Sequence, residues 1–163
     1  MRRALALLAA GAVLGGAGAP SAYDLAGRYT YSFSNGDISG ARFTSTDSVI
    51  IVATDRTHAV VDLQLNFFNG HACSIGGLAG LEGGRLVYRN SEMRGFDEAP
   101  CELRIWRDGA RLRWDDGEGS CQSYCGARGR LSNGEMRWSS RRAIPRAEQS
   151  RILAEHESER SLP

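Results

Sequence analysis

Hydrophobic and polar residues alternate along most of this chain, and glycine breaks the alternation at regular intervals. Residues 58–68 carry the longest run, with Val61, Leu63, Leu65 and Phe67 on one face and Asp62, Gln64 and Asn66 on the other. A period of two sends successive side chains to opposite sides of a strand, so this run predicts a central strand with one buried face. Residues 28–34 repeat the pattern with Tyr29, Tyr31 and Phe33. Residues 49–54 are β-branched without helical period and predict a buried strand, entered from a polar link at 45–47 and left by a turn at 55–57.

Four dipeptides mark two-residue hairpin turns: Asn35-Gly36, Gly83-Gly84, Asp108-Gly109 and Asn133-Gly134. Closing the second pairs Leu81 with Leu86 and Ala79 with Tyr88. Closing the third pairs Ile105 with Leu112 and Leu103 with Trp114, leaving Trp106 and several arginines on the solvent face. The first would set Phe33 opposite Ile38 and Tyr31 opposite Gly40, and the fourth Leu131 opposite Met136. Glycines 76, 77 and 80 interrupt the strand that starts at Cys73, which predicts a bend or a close approach of neighbouring chain.

Eight to ten short strands without a helix among them predict an all-β fold, an antiparallel meander closing into a small barrel. The domain spans residues 23–144. Residues 145–163 are almost wholly polar and form a charged tail; Arg151 and Glu155 support a helix there, frayed or resting on the barrel, or else an untethered tail.

Composition adds a compartment. Residues 1–22 read as a signal peptide, with Arg2 and Arg3, an apolar Ala/Leu/Gly run and small residues up to a cut after Ala22. The run is short for a membrane span, so no stable span is expected after cleavage. Without Arg2 and Arg3, 18 arginines stand against 19 acidic residues, a net charge of −1. The arginines alternate with acids instead of clustering, which gives no sign of nucleic-acid binding. Cys73, Cys101, Cys121 and Cys125 in an exported chain predict two disulfides at one end of the sheet. The hairpin registers put several pairings within reach; Cys73 with Cys101 and Cys121 with Cys125 is the favoured arrangement, and Cys101 with Cys121 and Cys73 with Cys125 is the second choice.

Candidate chemistry is sparse. His71 with three thiolates matches zinc in donor type but needs reduced cysteines. Asp115, Asp116 and Glu118 do not fit an EF-hand, and a solvated acidic turn explains them. There is no G-x-S-x-G elbow, P-loop, dinucleotide fingerprint or H-E-x-x-H, so no catalytic residue, metal or cofactor is assigned and the chain is read as a non-enzyme. What folding leaves unexplained is the loop 117–128, where Cys125-Gly126-Ala127-Arg128-Gly129 holds an arginine out beside a cysteine. Asp116, Glu118, Tyr124 and Arg128 are the candidate binding residues.

Gly27-Arg28-Tyr29, the Gly-rich Cys73 strand, and Cys101-Glu102-Leu103 leading to Cys121-x-x-Tyr124-Cys125-Gly126-Ala127-Arg128-Gly129 resemble small periplasmic β-barrel proteins of Gram-negative bacteria, of the lysozyme-inhibitor-like kind. The resemblance implies a periplasmic or secreted binding module for a protein partner, an inhibitor of a cell-wall hydrolase such as lysozyme. The alternative is a lipocalin-like carrier holding a small apolar ligand inside the barrel, lined by Tyr29, Tyr31, Leu63, Leu65 and Tyr88.

Overall fold

A computed structural model describes residues 19–90 and 100–160. The expected signal peptide lies outside the described residues up to position 18, as does the polar loop at 91–99. A single turn of helix, α1 (Ala22–Leu25), begins at Ser21, whose hydroxyl accepts from the Tyr23 amide while Asp24 reaches back to the Ser21 amide. Eight strands follow: β1 (Gly27–Gly36), β2 (Arg42–Ala53), β3 (His58–Asn66), β4 (Ala72–Glu82), β5 (Arg85–Asn90), β6 (Cys101–Asp108), β7 (Arg111–Asp115) and β8 (Gly134–Arg137). Each pairs antiparallel with the next, in the order β1 to β8. Arg28 and Arg142 exchange both backbone hydrogen bonds, at 2.9 and 2.8 Å, which nearly closes the meander into a barrel.

The alternation works as the pattern dictates. Leu63, Leu86, Leu103, Ile105 and Leu112 are fully buried, and Tyr29, Tyr88, Trp114 and Met136 join them in one contiguous core. An eight-stranded barrel is just wide enough for side chains to fill, and here they do. Leu81 faces Leu86 and Ala79 faces Tyr88, as the Gly83-Gly84 turn predicts. The glycines of β4 have a definite use: Gly77 sits at φ +150°, and a Cβ there would lie 2.5 Å from the Tyr88 ring.

Three turns differ from expectation. Asn35-Gly36 is not a turn. The Asn35 side chain is buried, donating to Ser45 Oγ and Phe67 O at 3.0 Å each, so β1 continues to Gly36 opposite Arg42. The connection is Asp37–Ala41 instead, tied by Asp37 Oδ1, which accepts from the Ser39 and Ala41 amides. This carries the expected polar link at 45–47 into β2. At the third turn, Gly109-Ala110 forms the two-residue loop, with Gly109 at φ +55° and Asp108 opposite Arg111. Ile105 therefore meets Trp114 and not Leu112. Each partner moves by two positions, so both faces survive. Asn133-Gly134 turns, but into no hairpin, because Leu131 is drawn into the core and β8 pairs with β7, Met136 opposite Leu112.

The charged tail forms α2 (Arg146–Arg160), which lies against β2 and β3 and is not untethered. Arg28 reaches Glu148 at 2.6 Å, and Gln149 donates to Ile144 O at 2.7 Å. Val52 and Val60 pair on the face turned away from the core and are buried there. Ile144 and Gln149 line the same crevice as Val52, so the helix covers an apolar strip that the barrel alone would expose.

Candidate functional site

All four cysteines lie at one end, and the pairing is Cys73–Cys125 and Cys101–Cys121, which corrects the favoured arrangement of Cys73 with Cys101 and Cys121 with Cys125. The cause is local. A 3-10 turn at Gln122–Tyr124 separates Cys121 from Cys125, and the chain then runs beside β4, where the Gly126 amide donates to Ala72 O at 2.7 Å. That brings Cys125 across from Cys73 and leaves Cys121 beside Cys101. Gly129 packs on the first bond, since a Cβ there would lie 2.7 Å from Cys73 Sγ. With every cysteine oxidised, no thiolate remains for the zinc arrangement around His71.

The four candidate binding residues divide into two pairs. Asp116 is buried, accepting from Ser132 Oγ at 2.7 Å and from the Cys121 amide at 3.2 Å. Ser120 Oγ donates to Asp116 O at 2.8 Å, so this one residue gathers both limbs of the loop. Tyr124 is half-buried against the core and its hydroxyl accepts from Asn90 Nδ2. Glu118 and Arg128 are exposed. The structure thus uses Asp116 and Tyr124 to hold the loop and presents Glu118 and Arg128 on it. Asp115 turns elsewhere, to the Asn133 amide at 2.9 Å, and among the described residues no three metal-ligating side chains converge.

Sequence reasoning missed the neighbours of Arg128. Its guanidinium lies over the Phe68 ring, 5.6 Å from the centroid. Phe68 is 43% exposed and Ile38 80% exposed, and the Ile38 amide donates to Asn69 Oδ1 at 3.4 Å. Asn69 adopts φ +61°, a left-handed conformation that asparagine tolerates and that turns the Phe68–Gly70 corner outward. Three separate loops therefore place Ile38, Phe68 and Arg128 at the stapled end. The signal available in the sequence was the double Phe67-Phe68, where only one ring can follow the buried face. Nearby, the Ser39 hydroxyl holds the Asp37 carboxyl below the ordinary range, while burial raises that of Asp47 against the bonds it accepts from Asn66.

Of the residues that a carrier would use, Tyr29, Leu63, Leu65 and Tyr88 are packed into the core. Tyr31 is instead 57% exposed and stacked on Phe33 at 5.7 Å, outside the filled interior. It borders an open groove of about 460 Å³ between β1 and the 130–136 segment, with Leu65, Phe67, Trp114 and Met136 below. At the opposite end, Asp55, Thr57 and His58 meet, but both partners lie on the same ring nitrogen, Nδ1, at 3.0–3.2 Å. A relay needs the orienting carboxylate and the nucleophile on different nitrogens. The Thr57 hydroxyl, Thr57 amide and His58 bring the Asp55 carboxyl down to about 2, as expected of a turn anchor.

Comparison with protein-family models, with curated proteins and with solved structures finds no match for this chain.

Proposed function

We propose that the chain is an exported protein-binding module that docks a partner on its stapled end through Ile38, Phe68 and Arg128, with Glu118 at the rim. The observation that carries this reading is a pair of exposed apolar side chains, Ile38 and Phe68, with Arg128 stacked on the Phe68 ring; two disulfides and the Asp116 hydrogen bonds hold the loop of Arg128, and Asn69 ties the loop of Ile38 to the Phe68 corner. Exposed aromatic and arginine side chains on a preorganised surface are the groups that dominate protein interfaces. The two disulfides support a periplasmic or secreted location, where thiols are oxidised.

The partner class that fits is a cell-wall hydrolase such as lysozyme, in keeping with the resemblance concentrated in residues 73–130. Glycoside hydrolases work with a pair of carboxylates in a cleft, and an arginine on a stiff loop matches a carboxylate bidentately. The test is lysozyme activity and calorimetric binding with the purified chain. Inhibition is expected, with Arg128→Ala weakening binding by about tenfold or more, the loss typical of a central interface arginine. Absence of both inhibition and binding at about 100 μM, a concentration far above that of specific complexes, would sink the reading. An apolar carrier has less support, since four of its five lining residues, Tyr29, Leu63, Leu65 and Tyr88, are consumed by the core and Tyr31 lies outside it.

A further inference from the structure

The opposite end of the barrel carries a different surface. Along the wall of the sheet the arginines are neutralised: Arg89 pairs with Glu82 and Glu102, Arg104 with Glu102, and Arg113 with Asp108 and Glu135. Around Trp138 they are not. Arg107 and Arg141 lie over the indole ring, 4.4 and 5.0 Å from its centroid. Their Nε atoms are fixed by backbone carbonyls, Arg107 to Gly109 O at 2.9 Å and Arg141 to Ala26 O at 2.7 Å. Arg142 likewise donates to Ser139 O at 3.0 Å. These anchors orient the side chains and leave their charge uncompensated. Among the described residues, Arg107, Arg137, Arg141 and Arg142 form no ion pair, and Arg111 has only Glu135 at 3.5 Å.

Arg107, Arg111 and Arg137 surround one open depression of about 540 Å³, completed by Gly109, Ala110, Trp138 and Ser139. Among the described residues, no acidic side chain lines it. We propose that this depression binds a soluble glycan bearing sulfate or phosphate groups, a surface separate from the one proposed for the protein partner. Guanidinium forks match the oxygens of a sulfate or phosphate in pairs, and several held at one site bind best a ligand that carries several such groups. The depression is larger than a single free oxyanion needs, and Ser139 adds a hydroxyl suited to sugar oxygens. A lipid surface fits less well, because peripheral membrane binding needs large apolar side chains beside the cations. Of the large exposed apolar residues among those described, Tyr23 shares a crevice with Arg141, and none of them lines the depression.

The test is chromatography of the exported chain on immobilised heparin, a sulfated glycan, with competition by inorganic phosphate and parallel sedimentation with vesicles of anionic phospholipid. Retention is expected, with Arg137→Ala eluting at lower salt and Arg107→Ala/Arg137→Ala lower still, by about 0.1 M NaCl, since each lost contact removes one released counterion. Arg42→Ala/Arg146→Ala makes the same change of charge elsewhere and is expected to elute with the unaltered chain. Near-ultraviolet circular dichroism confirms that Trp138 keeps its packing in each variant. The proposal is overturned if the chain is not retained, if both double variants shift equally, if millimolar phosphate displaces the chain as well as soluble heparin does, or if vesicles bind it more tightly than heparin.

Discussion

The two ends of this barrel solve the problem of closure by different means. At the stapled end one connection is long: residues 116–133 cross the opening before β8 begins. Two disulfides, the buried Asp116 and the inserted Leu131 hold it. At the other end the turns are short and the opening is covered by Trp138 lying against Tyr29, with ring centroids 5.5 Å apart, under Arg107 and Arg141. Burial there raises the Tyr29 hydroxyl to about 12, although the charges of Arg141 and Arg107 pull it down, and it donates to Leu25 O at 2.8 Å. A long loop needs covalent closure to present side chains in fixed positions, whereas a short turn fixes them through its own backbone.

Breaking the covalent closure is expected to have the largest effect. Cys73–Cys125 closes a separation of 52 residues and Cys101–Cys121 one of 20. Chain-entropy arguments give about 4 kcal/mol for the first and about 3 kcal/mol for the second. Denaturant unfolding of the paired Cys→Ser variants measures both, and equal losses would mean that loop length does not govern them.

Gly134→Ala comes next, because a Cβ there would lie 2.0 Å from the Trp114 indole. Overpacking of this kind costs about 1–3 kcal/mol and should appear in the same unfolding curves, with the disulfides intact. Asp116→Ala removes the acceptor shared by Ser132 and the Cys121 amide, a loss of about 1.5–3 kcal/mol for a hydrogen-bonded charged group. By contrast, Arg107→Ala at the turn end should cost under about 1 kcal/mol, the worth of an exposed cation–π contact.

Acid sharpens the comparison further. Asp55 at the turn end ionises near 2 when folded against an ordinary 3.8, and Glu82 and Glu102 lie below their ordinary 4.5, chiefly through hydrogen bonds from Arg89. A lowered folded pKa means stability that is complete above the unfolded value and is lost as protons are taken up below it. Asp47, raised by burial, has the opposite sign and favours the folded chain slightly as it becomes protonated. Thermal unfolding temperatures should therefore fall between pH 4.5 and 2. Arg89→Met should flatten that fall, and an unchanged slope would show that the Arg89 pairs are not its source.

The all-β meander was legible because its signals are local. The run at 58–66 and the Gly83-Gly84 turn each carry their register within a dozen residues, and both are found as the pattern dictates. Asn35-Gly36 misled because its asparagine bonds to Phe67, thirty-two residues away, a partner that no turn preference encodes. Cysteine pairing depends on the path of the chain after Cys121, which the 3-10 turn at Gln122–Tyr124 and the Gly126–Ala72 hydrogen bond fix. For the candidate site, the 117–128 loop and Arg128 stood out in the sequence while their neighbours Ile38 and Phe68 did not, because an exposed apolar residue in an alternating pattern looks the same as a buried one.

The central claim, that binding resides at the stapled end, is tested most directly by calorimetric titration of lysozyme with the intact chain and two variants. Arg128→Ala is expected to weaken binding by about tenfold or more, as a central interface arginine does, while Arg56→Ala in the turn at the other end leaves it unchanged. Equal weakening by both variants, or no heat of binding from the intact chain, would contradict it.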